Sequence, residues 1–150
     1  MTTYSPELAI APPSEADASA PNYIEMLETV ISSLEQEGTA MVSHAQEGYL
    51  WKFGYGSAEV FVQLTGLTDD DTLTVWSEVM PSPTTLPTAM AVKLLELNWS
   101  TTLEARFALL NQDIVVVTSR TLAGLSPSEV SRCITIVATL ADEYKATLSA

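Results

Sequence analysis

The spacing of apolar residues along the chain switches repeatedly between two periods. Tyr23, Ile24, Leu27, Val30, Ile31 and Leu34 recur every three to four residues and predict a helix over residues 22–37. Asn22 is its expected N-cap, Glu25 sits at capping-box spacing, and Gly38 is the expected stop. From residue 39 to 80 the period drops to two. Trp51, Phe53 and Tyr55 alternate with Leu50, Lys52 and Gly54; Val60, Val62 and Leu64 alternate with Glu59, Phe61 and Gln63. Leu73, Val75 and Val79 then alternate with Thr72, Thr74, Trp76 and Glu78. With residues 40–45 this gives four strands. Turns are expected at Gln46-Glu47-Gly48, Gly56-Ser57 and Asp69-Asp70-Asp71, and turns this short imply an antiparallel meander.

PSPTTLP at residues 81–87 ends the sheet pattern, and Pro87 suits the first turn of a second helix. Met90, Ala91, Leu94, Leu95 and Leu97 supply its apolar side, with Asn98 as the expected end and Trp99 in the connection that follows. A hairpin comes next. Leu103, Ala105, Phe107 and Leu109 line one face of its first strand, and Asn111-Gln112-Asp113 turns the chain. Ile114 to Val117 is a continuous apolar, β-branched run, the pattern of a central strand covered on both sides. The last helix has the clearest start: Ser126 as N-cap, Pro127 at the first helical position, Glu129 closing the box. Val130, Cys133, Ile134, Val137, Leu140, Ala141, Tyr144 and Leu148 follow at helical spacing. The predicted fold is therefore α+β, an antiparallel sheet in the order helix, four-strand meander, helix, β-hairpin, helix. It occupies residues 21–150 as a single domain behind an acidic Pro-Ala-Ser tail at residues 1–20. A short docking segment around Tyr4 to Ile10 is the alternative reading of that tail.

Charge narrows the role. The chain carries a net −13, and residues 1–80 hold 13 acidic residues against Lys52 alone. Nucleic-acid binding needs clustered Lys and Arg, so that class is set aside. No apolar run approaches the length of a membrane span, and a lone cysteine fits a reducing compartment, so a cytoplasmic protein with no membrane partner is expected. Cys133 falls on an apolar helical stripe, where a thiol is buried and inert, and His44 is the one histidine. These two do not make a nucleophile–base pair or a zinc site. The Asp69–Asp71 run lacks the glycine and distal glutamate of a calcium loop, and GYGSAE at residues 54–59 lacks the ending of a phosphate loop. No catalytic, metal or cofactor residue is expected, and the chain is read as a non-enzyme. Four residues stand out as candidates for partner binding. Trp76 lies on the polar side of its strand, and Trp99 follows the middle helix. Arg106 and Arg120 are two of only six basic residues, and the Arg fork suits acidic groups.

The stretch LLELNWSTTLEARFALLNQDIVVVTSRTLAGLSPSEVSRCITIVATLADEY, residues 94–144, resembles the YbjN-domain family, and is similar in style to its cyanobacterial members. The resemblance implies a fold like that of type III secretion chaperones, which are small, acidic and often dimeric. It also implies a sensory-regulator label with no defined catalytic residues. It allows a homodimer, which the residues themselves do not show. The expected function is a non-catalytic protein-binding or regulatory domain in stress or sensory regulation. A small-molecule or nucleotide sensor reading through Arg106 or Arg120 is the alternative, and an enzyme ranks last.

Overall fold

The computed structural model describes residues 22–35, 41–45, 48–81 and 85–149. Within them the order is α1 (Tyr23–Leu34), β1 (Met41–Ala45), β2 (Gly48–Tyr55), β3 (Ala58–Leu64), β4 (Thr72–Met80), α2 (Thr88–Ser100), β5 (Arg106–Leu110), β6 (Asp113–Thr121) and α3 (Pro127–Ser149). The six strands form one antiparallel sheet in the order β1-β2-β3-β4-β6-β5. The meander and the hairpin are thus joined through β4 and β6. The α+β reading, with helices on an antiparallel sheet, holds. The expected stop at Gly38, the turn residues Gln46 and Glu47, part of the proline-rich break and the tail all lie outside the described residues.

Alternation along the strands sorts the side chains onto two faces. The first face carries Trp51, Phe53, Val60, Val62, Leu64, Leu73, Val75, Ile114 and Val116, all buried to within 2% of complete. Helix α3 lies over it, pressing Val130, Ile134, Val137, Ala138 and Ala141 into the core. Helix α1 adds Leu27 and Ile31 beside α3. Its Glu28 accepts a hydrogen bond from Trp51 Nε1 at 3.3 Å, which ties α1 to β2. The Tyr23 hydroxyl donates to the Leu122 carbonyl at 3.1 Å and to Asp69 at 3.2 Å; burial, with Asp69 beside it, pushes that phenol above its ordinary value.

The start of α3 matches its sequence signals. Glu129 N–H donates to Ser126 Oγ at 3.3 Å, and Ser126 N–H donates back to Glu129 at 3.1 Å. Arg120, from the end of β6, adds a 2.7 Å ion pair to Glu129. At the other end of the helix, Asp142 accepts from Ser57 N–H and Oγ at 2.8 and 2.6 Å, fixing α3 to the β2–β3 turn.

Three expectations need correction around the hairpin. Helix α2 runs two residues past Asn98 to Ser100, so Trp99 sits in its last turn and not in a connection. Asn98 is drawn into another role: its amide accepts from Phe107 N–H at 2.7 Å and donates to Phe107 O at 3.3 Å. It thereby occupies the outward backbone groups of Phe107 on the edge strand β5. Leu103 does not extend β5. It takes a left-handed conformation (φ 57°) and is 70% exposed, with the strand beginning only at Arg106. Asn111 and Gln112, both at positive φ, make the tight primed turn that the strand twist favours. Finally, Ile114–Val117 is central in the sheet but is not covered by helices on both sides. Ile114 and Val116 face the core, whereas Val115 and Val117 point to the opposite face, which no described element covers.

Candidate functional site

The uncovered face is where the molecule departs from a plain two-layer fold. An outward face of a half-solvated antiparallel sheet should read polar. Here cross-strand register brings apolar residues together instead. Phe61 on β3 is paired with Trp76 on β4, and Trp76 with Val117 on β6. The Phe61 and Trp76 rings stack with centroids 5.3 Å apart and planes 11° from parallel. Trp76 joins Leu50, Thr74, Ala108, Val115 and Leu110 in lining an open groove of about 520 Å³. The groove is diagonal. It starts at Leu50 on β2 and ends at Leu109 and Leu110 beside the β5–β6 turn. Val115 is 3% exposed yet lies outside the main core cluster, so the groove has a small buried floor of its own.

Charged residues stand on its rims. On one side Glu59 and Glu78 are exposed, and Lys52 pairs with Glu59 at 3.2 Å. On the other, Arg106 lies directly across from Val117, exposed and without an ion pair among the described residues. Neighbouring Glu104 is held instead by Arg132, through contacts of 2.6 and 3.0 Å, and that guanidinium keeps the Glu104 carboxyl below its usual range.

The four sequence-picked residues therefore separate. Trp76 and Arg106 are two strands apart on the uncovered face, with Val117 of β6 between them. Trp99 is elsewhere, 92% exposed on α2, in a stripe with Val92 and Leu95. Arg120 belongs to the frame: besides Glu129, its guanidinium donates to the carbonyls of Thr121 and Ala123 at 2.9 and 2.8 Å. Sequence spacing missed Phe61, Val115 and Leu110. Phe61 was readable as Trp76's neighbour only with the β3–β4 register in hand.

The remaining chemistry candidates resolve as structure. Cys133 packs partly buried against the core, and burial pushes its thiol above the ordinary value, away from a reactive thiolate. Asp71 accepts from Thr68 N–H, Thr68 Oγ1 and Thr65 Oγ1 at 3.0, 2.8 and 3.0 Å, which closes the β3–β4 loop. These hydrogen bonds, the Thr68 backbone first among them, keep its carboxyl below the ordinary value. His44 sits on β1, opposite Tyr49. Among the described residues no group of three or more metal-ligating side chains converges, and no helix is long and apolar enough to cross a membrane.

Comparison with known proteins places this architecture. The profile of the YbjN family, described as "Putative bacterial sensory transduction regulator", matches residues 23–150. The chain belongs to the YbjN family. The match begins at the first residue of α1 and takes in each helix and strand of the described residues. No curated protein matches the chain. The family's description is consistent with a regulatory role for this YbjN domain.

Proposed function

We propose that this YbjN domain is a non-catalytic, protein-binding regulator of the cytoplasm, chaperone-like in fold, which docks its partner on the uncovered sheet face. One observation carries the reading: a mostly apolar groove lined by Trp76, on which Phe61 stacks, on a face where alternation alone should leave polar residues. An aromatic anchor inside a patch with apolar surroundings and a charged rim has the anatomy of a binding hot spot. The test is direct binding. Proteins retained by the wild-type chain from its own cells are identified, purified and titrated against the wild type, Trp76→Ser and a control substituted at Ser32 on the outer side of α1. The reading requires a partner whose affinity falls at least tenfold for Trp76→Ser and is unchanged for the control. Equal affinity for all three chains sinks it.

A homodimer is a separate proposal, supported by α2. Val92, Leu95 and Trp99 form an exposed stripe, and the helix carries only Lys93 and Glu96, so it is neutral in a chain of net −13. Two such chains repel least where they meet on neutral surface, and a two-fold pairing sets Lys93 of each near Glu96 of the other. Sedimentation at rising concentration should show a dimer that Leu95→Glu abolishes.

The groove's volume also falls in the range of small-ligand sites, which favours the sensor as a second reading. A metabolite that raises the melting temperature of the wild type, but not of Trp76→Ser, would establish it.

A further inference from the structure

We infer that the partner segment bound on the uncovered face is an amphipathic α-helix of four to five turns, laid diagonally across the strands, with acidic residues along the flank that meets Arg106. This rests on the reading of that face as a docking surface and names what docks there.

Backbone chemistry selects the helix. Strands β2, β3, β4 and β6 are each paired on both sides, so their N–H and C=O groups are committed within the sheet. An extended peptide lying on this face would find only side chains beneath it, most of them apolar. Its own N–H and C=O groups would be desolvated without partners on that side. A helix satisfies its backbone internally and offers an apolar stripe, which is how helices and sheet faces meet. Strand addition belongs at an edge, and at the β5 edge Asn98 already occupies the outward groups of Phe107.

Dimension sets the length. The groove crosses from β2 to β5, four strand intervals, or about 19 Å measured straight across. A helix spanning that distance needs about 13 residues, and a diagonal path needs a few more.

Charge sets the orientation. The rims differ in sign: Glu78 stands on one, where Lys52 already offsets Glu59, and Arg106 stands on the other. A helix with acid on one flank and base on the other fits in a single direction. The alternatives fit less well. A second copy would present the same concave groove, and two concavities do not fill each other in a two-fold contact. The chain's own N-terminal segment has prolines at 6, 12, 13 and 21, leaving no proline-free run longer than seven residues, too short for the helix required.

The probe is a phage-displayed library of random 18-residue peptides, selected against the full chain. Enriched sequences should repeat apolar residues at i, i+3 or i+4, and i+7, with acid on one flank. A synthetic representative should gain helical circular dichroism on binding. It should lose at least tenfold in affinity against Trp76→Ser and against Leu50→Asp, each checked for wild-type melting. Selection against Arg106→Glu should return basic residues on the flank where the wild type selects acid. Enriched peptides that depend on Trp76 but alternate apolar and polar residues overturn the helix and leave the docking face standing. Peptides indifferent to both groove variants overturn the helix and the docking face together. Two further outcomes also overturn it. One is tighter peptide binding when Tyr4, Leu8 and Ile10 are all replaced by Ser, since the N-terminal segment is then the occupant. The other is a dimer abolished by Trp76→Ser, since a second copy is then the occupant.

Discussion

Two phenylalanines on adjacent strands show how differently the two faces of this sheet are used. Phe53 on β2 points under α3 and is 1% exposed. Phe61 on β3 points the other way, half-exposed, with Trp76 as its stacking neighbour. Side-chain type and strand environment are shared, yet only Phe53 lies in the core cluster. The covered face holds the fold together. The uncovered face has apolar area that the fold does not use, which is why it reads as a surface for something else. The same division recurs on β4: Ser77 is fully buried toward α3 and donates from Oγ to the Glu59 carbonyl at 2.7 Å, while Trp76 beside it faces outward.

The sharpest way to break this comparison is to truncate both rings. Phe53→Ala should cost about 3–5 kcal/mol in urea unfolding, the range for a buried aromatic that leaves a cavity. Phe61→Ala should cost about 1 kcal/mol, chiefly the lost stack on Trp76. Similar losses would mean that the uncovered face is part of the core, and the docking reading would lose its basis. A smaller effect tests the frame beneath the covered face. Ser126→Ala removes the N-cap of α3 and should cost about 1 kcal/mol, leaving peptide binding on the other face unchanged.

Much of this contrast is legible in the sequence, and the illegible part has physical causes. The amphipathic period of α3 and its Ser126, Pro127 and Glu129 start are local, so they read directly. The strand alternation puts Trp76 on the face of Thr74 and Glu78, and the structure agrees. What local spacing does not carry is register. Phe61 meets Trp76 because the β3–β4 loop is stitched at Thr65, Thr68 and Asp71, and a turn centred on the aspartates alone shifts every pair. Nor does a continuous apolar run such as Ile114–Val117 tell whether its second face is roofed by a helix or left open. Trp99 reads as a connection residue because Asn98 resembles a helix stop, whereas the Asn98 amide holds β5. Leu103 kept the alternation of a strand, but its left-handed backbone delays β5 to Arg106.

Exposure alone makes a milder prediction for Trp99. At 92% exposure it contributes little to the monomer's fold, so Trp99→Ser should shift unfolding by no more than about 0.5 kcal/mol. Any change in sedimentation would then report association and not folding.

The smallest effect separates the faces by pH. Carboxylates tie α3 down around the covered face: Glu129 to Arg120 and Ser126, Asp142 to Ser57, Glu104 to Arg132. Each is held below its ordinary value, chiefly by the hydrogen bonds it accepts: from Arg120 for Glu129, from Ser57 for Asp142 and from Arg132 for Glu104. A carboxyl whose folded pKa lies below its unfolded value contributes its stability in full above about pH 4, the unfolded value, and loses it as pH falls through the folded one. The urea midpoint should therefore fall between pH 5 and pH 3. Asp142→Asn keeps the side-chain shape but removes the titrating group, so its midpoint should start slightly lower at pH 7 and fall less steeply. Because these ties lie along α3 and not on the uncovered face, the variants Phe61→Ala and Trp76→Ser on that face should keep the wild-type slope. A slope that flattened in them as much as in Asp142→Asn would show the two faces to be one cooperative electrostatic unit.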